Sequence, residues 1–289
     1  MHMHSHFDLI EIIHHTLIDS IKLVPFLFLT YLAMEWMEHK TGDVAKKIVE
    51  KSGRFGPLVG AVLGAFPQCG FSAAGSSLYA GRVITLGTLF AIYLSTSDEM
   101  LPIMISAAVP LSVIGKILLL KITIGFIMGF IVDMIVRKRG WEEQEHIGDM
   151  CDHEHCHCEE GIWKSAIVHT LQVTFFIVMI TFVLNLVLHS AGEEVLAEWF
   201  LRYGILGEIT AGLIGLIPNC AASVVVTQLY LEGVLSFGAM LSGLLTGSGV
   251  GLLVLYRVNH DWKENLYITG MLYVIGIVCG IIVNLLGIM

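Results

Sequence analysis

Apolar residues fall along this chain in blocks, without the short alternation of a surface and a core. Six long blocks cover 17–37, 84–107, 111–136, 166–189, 235–256 and 266–286. Each is close to the about 20 residues that carry a helix across a hydrocarbon layer about 30 Å thick. Two shorter blocks, 56–66 and 207–217, cannot cross alone at helical rise, and each runs into a proline, Pro67 or Pro218. Proline lacks the amide hydrogen and clashes with the preceding turn, so the pattern predicts broken or re-entrant helices at these two places.

The short blocks belong to an internal repeat. Displacing the chain by 151 positions aligns 53–101 with 204–252 without a gap and with thirteen identities, where apolar sequence of this composition gives about four by chance. Gly56/Gly207, Gly64/Gly215, Pro67/Pro218, Cys69/Cys220, Tyr79/Tyr230, Gly87/Gly238 and Ser97/Ser248 are among them. The expected fold is therefore all-α: a polytopic membrane protein with a first transmembrane repeat at 1–136, a linker at 137–161 and a second repeat at 162–289. Each half reads as one long span, a proline-broken pair and two further spans. Whether the pair makes two crossings or none, the number is odd, so the halves are expected to be inverted. Inverted repeats with interrupted helices at matching positions are characteristic of secondary transporters, whose site lies where the repeats meet. Broken backbone inside a bilayer survives only where protein or a water-filled cavity satisfies it, so FPQCGFS and IPNCAAS mark a polar cavity.

Composition agrees. Of 289 residues, 55% are hydrophobic and 14% charged, with mean hydropathy +0.78, whereas soluble domains carry about a quarter charged residues. A formal charge of -9 offers no basic footprint for nucleic acid. The excess of Lys and Arg marks cytoplasmic loops. That rule puts Lys40, Lys46, Lys47, Lys51 and Arg54 inside, with Arg137, Lys138, Arg139, Lys164, Arg257 and Lys263. Arg82 joins them if the segment at Pro67 re-enters. Arg202 and both termini then lie outside, in a multi-pass protein of a prokaryotic plasma (inner) membrane. MHMHSHFD lacks a basic n-region, so no cleaved signal peptide is expected.

FPQCGFSAAGSSLYAGRVITLGTLFAIYLSTSDEMLPIM, its echo IPNCAASVVVTQLYLEGVLSFGAMLSGLLTGSG, and a His- and Cys-bearing loop between the halves resemble the ArsP-type permeases. Within them they resemble the ten-span heavy-metal exporters, labelled arsenic efflux proteins or manganese transporters. The resemblance covers most of the chain outside the extreme N-terminus and implies efflux of a metal or metalloid without fixing which.

Several residues could carry that chemistry. Cys69 and Cys220 each stand two positions after a proline and beside an amide, Gln68 or Asn219. Thiolates suit soft ions, while amide and carbonyl oxygens suit hard ones. A free cysteine is also a good small core residue, and the amides can serve the broken backbone. Asp98 and Glu99 follow Ser95, Thr96 and Ser97 within an expected span. Acids at membrane depth pair, face a cavity or line an ion path. On a continuous helix Ser95 lies one turn from both. The second half has Thr246, Gly247, Ser248 and Gly249 there, so the first half supplies charge and the second hydroxyls and backbone. Lys121, on the next span, either neutralises Asp98 or acts as the counter-charge in coupling. Asp98, Glu99, Cys69 and Cys220 form the candidate metal set. Cys151, His153, His155, Cys156, His157 and Cys158 form a compact cluster in the inner loop, read either as a shallow metal collector or as a polar linker.

Met100 and Met104 read as packing residues. Gly125/Gly129 and Gly276/Gly280 have small-xxx-small spacing, which suits contact within the chain or in a homodimer. No resident cofactor is expected, and no G-x-x-x-x-G-K-[ST] phosphate loop appears, so energy comes from a proton or other ion gradient or from a partner. No nucleophile elbow or H-E-x-x-H helix appears either. The expected function is a secondary transporter exporting a metal or metalloid, a divalent transition metal such as Mn or Zn first and arsenicals next. The alternatives are an intramembrane thiol oxidoreductase using Cys69 and Cys220, or a carrier of a non-metal organic solute.

Overall fold

The computed structural model describes residues 55–67, 69–97, 100–138 and 207–287, with scattered helical positions from 18 to 32 and from 163 to 182. Among the described residues the chain is all helical. The first half holds α1 (Gly56–Gly64), α2 (Cys69–Ala80), α3 (Leu86–Ser95), α4 (Met100–Ser106) and α5 (Leu111–Lys138). The second holds α6 (Gly207–Gly215), α7 (Cys220–Leu231), α8 (Phe237–Thr246), α9 (Gly251–Val258) and α10 (Trp262–Leu285). Every helix from α6 to α10 begins 151 residues after its counterpart, the displacement at which the sequence matches itself. The repeat therefore extends past residue 101 to the start of α5 and α10.

Local chemistry sets these starts. Thr85 and Ser236, equivalent in the repeat, accept the amide hydrogens of Thr88 and Ala239 and so cap α3 and α8, satisfying donors that have no partner inside the helix. Asp133 on α5 adds to the first of these ends, accepting from the Gly87 amide and the Thr85 hydroxyl, both at 2.8 Å. A carboxylate is favoured at the positive end of a helix. The expected breaks at Pro67 and Pro218 are present: α1 stops at Gly64 before α2 starts at Cys69, and α6 stops at Gly215 before α7 starts at Cys220.

The centre of each half is a helix hidden on all sides. Every residue of α3 and of α8 is buried. α3 packs between α1 and α5, and α8 between α6 and α10. Glycines allow backbones to touch there. A Cβ on Gly64 would fall on Ser95 Oγ and Ile92 O, and one on Gly215 on Thr246 Oγ1 and Gly243 O. The same holds on the other side: a Cβ on Gly129 would lie 2.5 Å from Gly87 O, and one on Gly280 2.6 Å from Gly238 O. Gly125, Gly129, Gly276 and Gly280 thus serve packing within the chain.

The outward faces are apolar. Leu119, Ile127 and Phe130 on α5, Val274, Val278 and Ile282 on α10, and Leu58, Val59 and Val62 on α1 are exposed, a surface that suits lipid. Among the described residues three stretches are long and apolar enough to cross a membrane: Leu111–Lys138, Phe237–Val258 and Trp262–Leu285.

The structure corrects one expectation. Blocks 84–107 and 235–256 read as continuous spans, yet the helix stops at Ser95 and at Thr246 and resumes at Met100 and Gly251. The helical face expected to unite Ser95 with Asp98 and Glu99 is therefore interrupted. Hydroxyl groups turned back onto the helix provide the reason. Ser95 Oγ donates to Ala91 O, Thr96 Oγ1 to Ile92 O, and Ser97 Oγ to Ser95 O. Thr246 Oγ1 donates to Ser242 O and Gly243 O. Such bonds compete with the helix ladder, and in the second half Gly249, at φ +55, takes the left-handed conformation that glycine tolerates.

α2 of the first half lies against α9 of the second, and a polar latch closes the end of that contact. Glu264 accepts from the Tyr79 hydroxyl, from Arg82 Nη1 and Nη2 at 3.0 and 3.2 Å, and from Asn259 Nδ2 at 2.8 Å. Burial opposes the Arg82 charge, but its bonds to Glu264 outweigh this and hold its pKa above the usual arginine range. The positions equivalent to Arg82, Asn259 and Glu264 are Gly233, Ala108 and Val113, so the repeat does not reproduce the latch at its other end.

Gly64→Ala and Gly215→Ala should each lower stability by about 1–3 kcal/mol through overpacking, read from thermal unfolding in detergent. Gly115→Ala and Gly270→Ala, with nothing within 4 Å of the added carbon, should be neutral or stabilising. A double-mutant cycle of Arg82→Met with Glu264→Gln should return a coupling of about 1–2 kcal/mol; strict additivity would show that the latch carries no energy.

Candidate functional site

Three helix interruptions converge on one cavity. Thr96 and Ser97 follow α3; Gly247 and Gly249 follow α8; Asn219 precedes α7. These residues, with Ala222, Ser223 and Leu244, line a cavity of ≈ 10 Å³, about the room of one water. Its walls come from both halves. Thr96, Ser97 and Asn219 are buried there, and an interrupted backbone at this depth is the kind that protein or a polar cavity must satisfy.

Two further features mark the place as polar. Ser248, between cavity residues Gly247 and Gly249, is 1% exposed, and its Oγ has no hydrogen-bond partner among the described residues. Lys121 on α5 has no exposed surface. Its Nζ donates to Thr96 O at the end of α3 and to Leu244 O in the last turn of α8, the latter at 3.0 Å. One ammonium thus bridges the carbonyl ends of two helices, one from each half. A cation is favoured there, where carbonyls lack intrahelical partners. A third contact joins the halves nearby. Ser76 Oγ on α2 donates to Gly251 O at 2.7 Å and lies 2.6 Å from the Tyr93 hydroxyl.

Of the residues singled out in the sequence, Thr96, Ser97 and Asn219 line the cavity and Ser248 stands beside it. Ser95 and Thr246 are buried next to it, but their hydroxyls are turned onto main-chain carbonyls, Thr246 Oγ1 reaching Gly212 O of α6 as well at 2.9 Å. Cys69 and Cys220 are the first residues of α2 and α7, the matched positions expected from the repeat; their side chains lie outside the described residues, as do Gln68, Asp98 and Glu99. The loop cluster Cys151, His153, His155, Cys156, His157 and Cys158 is outside them too. Among the described residues no group of three His, Cys, Asp or Glu side chains could hold a metal. Met100 and Met104 are wholly buried in the main core, as packing residues should be.

Tyr93, Ser76 and the Arg82–Glu264 latch were not signalled by any motif. The two carbonyl partners of Lys121 were not either, although the 151-residue register holds a clue. Lys121 stands opposite Leu272 in the repeat, a charge where the copy has an aliphatic side chain.

A sequence model of a protein family, ArsP_2, described as "Putative, 10TM heavy-metal exporter", matches residues 141–253 and 171–288, which together run from 141 to 288 and make up half of the chain. No curated protein and no solved structure matches it.

Thr246→Val deletes a hydroxyl with three main-chain acceptors and should cost about 1 kcal/mol of stability. Ser248→Ala loses no hydrogen bond and should leave the melting temperature unchanged. A fall in metal affinity for Ser248→Ala at constant stability would assign its oxygen to the cargo.

Proposed function

This chain belongs to the ArsP_2 family, whose description is heavy-metal export, and from that premise we propose that it is a secondary transporter carrying a metal or metalloid out of the cell by alternating access between two inverted halves. The observation that carries the reading is the meeting of helix breaks from both halves around one small cavity with Thr96, Ser97, Asn219 and Ser223 among its lining residues. Inversion is supported by the latch. Arg82 sits in the turn before α3, whereas Asn259 and Glu264 sit after α9 and at the start of α10. The leading end of the broken span in one half therefore touches the trailing end of the broken span in the other, as antiparallel copies require. The shared side also agrees with the charge rule, which assigns Arg257 and Lys263 to the cytoplasm and Arg82 with them if the segment at Pro67 re-enters.

In this reading the cargo sits among Thr96, Ser97, Asn219 and Ser248, with Gln68, Ser95, Thr246 and the metal-ligating groups Cys69, Asp98, Glu99 and Cys220 around it. Carboxylate and amide oxygens in the set suit a divalent transition metal such as Mn or Zn, placed first, and the thiols suit an arsenical, placed next. An ion or proton gradient drives the cycle. The loop from Cys151 to Cys158 gathers metal on the cytoplasmic side.

The test is uptake into inverted vesicles across a metal panel of Mn, Zn and arsenite. Accumulation of one of them, dependent on an ion gradient, is expected. Asp98→Asn should lower the rate at least about tenfold, the loss expected when a carboxylate contact to a cation is removed; parental rates would remove the acid from the mechanism. Deleting residues 149–160 should weaken apparent affinity and leave transport in place. Unchanged metal resistance in a Cys69→Ser/Cys220→Ser double variant would dismiss the thiols.

A further inference from the structure

An amine with no exposed surface inside a membrane protein is costly unless its charge is used. Lys121 is such an amine, and its position fits a use. The two carbonyls it holds, Thr96 O and Leu244 O, belong to residues that also line the cavity. Each is at the carbonyl end of an interrupted helix, and the two helices come from different halves. Unwound backbone and half-helix carbonyl ends are where transporters hold cations. The protein therefore holds a cation on the carbonyls of two residues that also line its cavity, and that cation is its own side chain.

The repeat shows that packing does not demand the charge. Leu272, the equivalent of Lys121, is also wholly buried, and an aliphatic side chain serves that helix interface in the second half. The ammonium is specific to the first half. An ammonium and a dication cannot share these two oxygens, because like charges a few ångströms apart repel strongly at low dielectric.

We infer that Lys121 is a tethered cation: it occupies the Thr96 and Leu244 carbonyls when the cavity is empty, and a transported divalent metal and the Lys121 ammonium exclude one another there. This deepens the transport reading and rests on it. Arrival of the metal drives the ammonium off the carbonyls, and its return helps to expel the metal, so the wall between the halves is never left with bare carbonyls or with two competing cations. Lys121 is thus a positioning residue that weakens binding in order to permit release.

The experiment uses the full chain, purified in detergent for equilibrium dialysis with Mn²⁺ or Zn²⁺ and reconstituted in liposomes for efflux. Lys121→Met removes the charge at similar volume. Lys121→Gln removes it while keeping a donor for the carbonyls, which guards against loss of folding in the first variant. Both neutral variants should bind metal at least about tenfold more tightly than the parent, since a like charge beside the site has gone, and should turn over more slowly. Lys121→Arg should bind within about threefold of the parent, because the competing charge remains. Equal or weaker metal binding by the neutral variants would overturn the tether while leaving transport by the parent protein intact. A parent protein that neither binds nor moves these metals would overturn the transport reading and the tether with it.

Discussion

A helix that stops inside an apolar layer leaves carbonyl groups that water cannot reach. Much of this molecule answers that constraint. Serine and threonine hydroxyls at Ser95, Thr96, Ser97 and Thr246 fold back onto nearby carbonyls, and Lys121 reaches across to two more. At the opposite ends of the same helices Thr85, Ser236 and Asp133 take up the orphan amides. A helix can be interrupted in this way where protein or a cavity surrounds each loose group. The glycine-lined contacts that hide α3 and α8 are therefore what makes the breaks tolerable.

The two halves share a scaffold and differ in chemistry. Helix starts coincide at one displacement, and paired glycines make equivalent backbone contacts. Charged and polar side chains depart from the pattern. Lys121 faces Leu272 across the repeat, Asp133 faces Asn284, Asp98 faces Gly249, and Arg82 and Glu264 face Gly233 and Val113. Packing conserves shape, so the interchangeable positions are those where backbone meets backbone. Among the described residues these departures lie at the Thr96 and Leu244 carbonyls, at the start of α3 and at the latch.

Much was legible without coordinates. The proline-cysteine breaks, the duplicated scaffold and the packing methionines all follow from runs of apolar residues and from identities at a fixed displacement. The interruptions after Ser95 and Thr246 were missed, because STSDE and TGSG sit inside blocks apolar enough to read as continuous spans, and hydropathy does not see a hydroxyl turning back onto its own helix. Lys121 stands out in the sequence as neutralising Asp98 or as a coupling counter-charge, and Asp98 lies outside the described residues. The main-chain partners of Lys121 could not be found by reading side chains, since carbonyl groups are the same at every position.

The sequence by itself determined that this is a membrane protein, that its helices come in two matched sets, and where prolines interrupt them. Those features depend on the local order of apolar, polar and helix-breaking residues. The tertiary structure alone decided that the end of α3 meets the end of α8, that one buried ammonium bridges them, and that Arg82 finds Glu264 182 residues away. Such contacts depend on how closely two backbones approach, and that distance is set by packing between segments far apart in the chain.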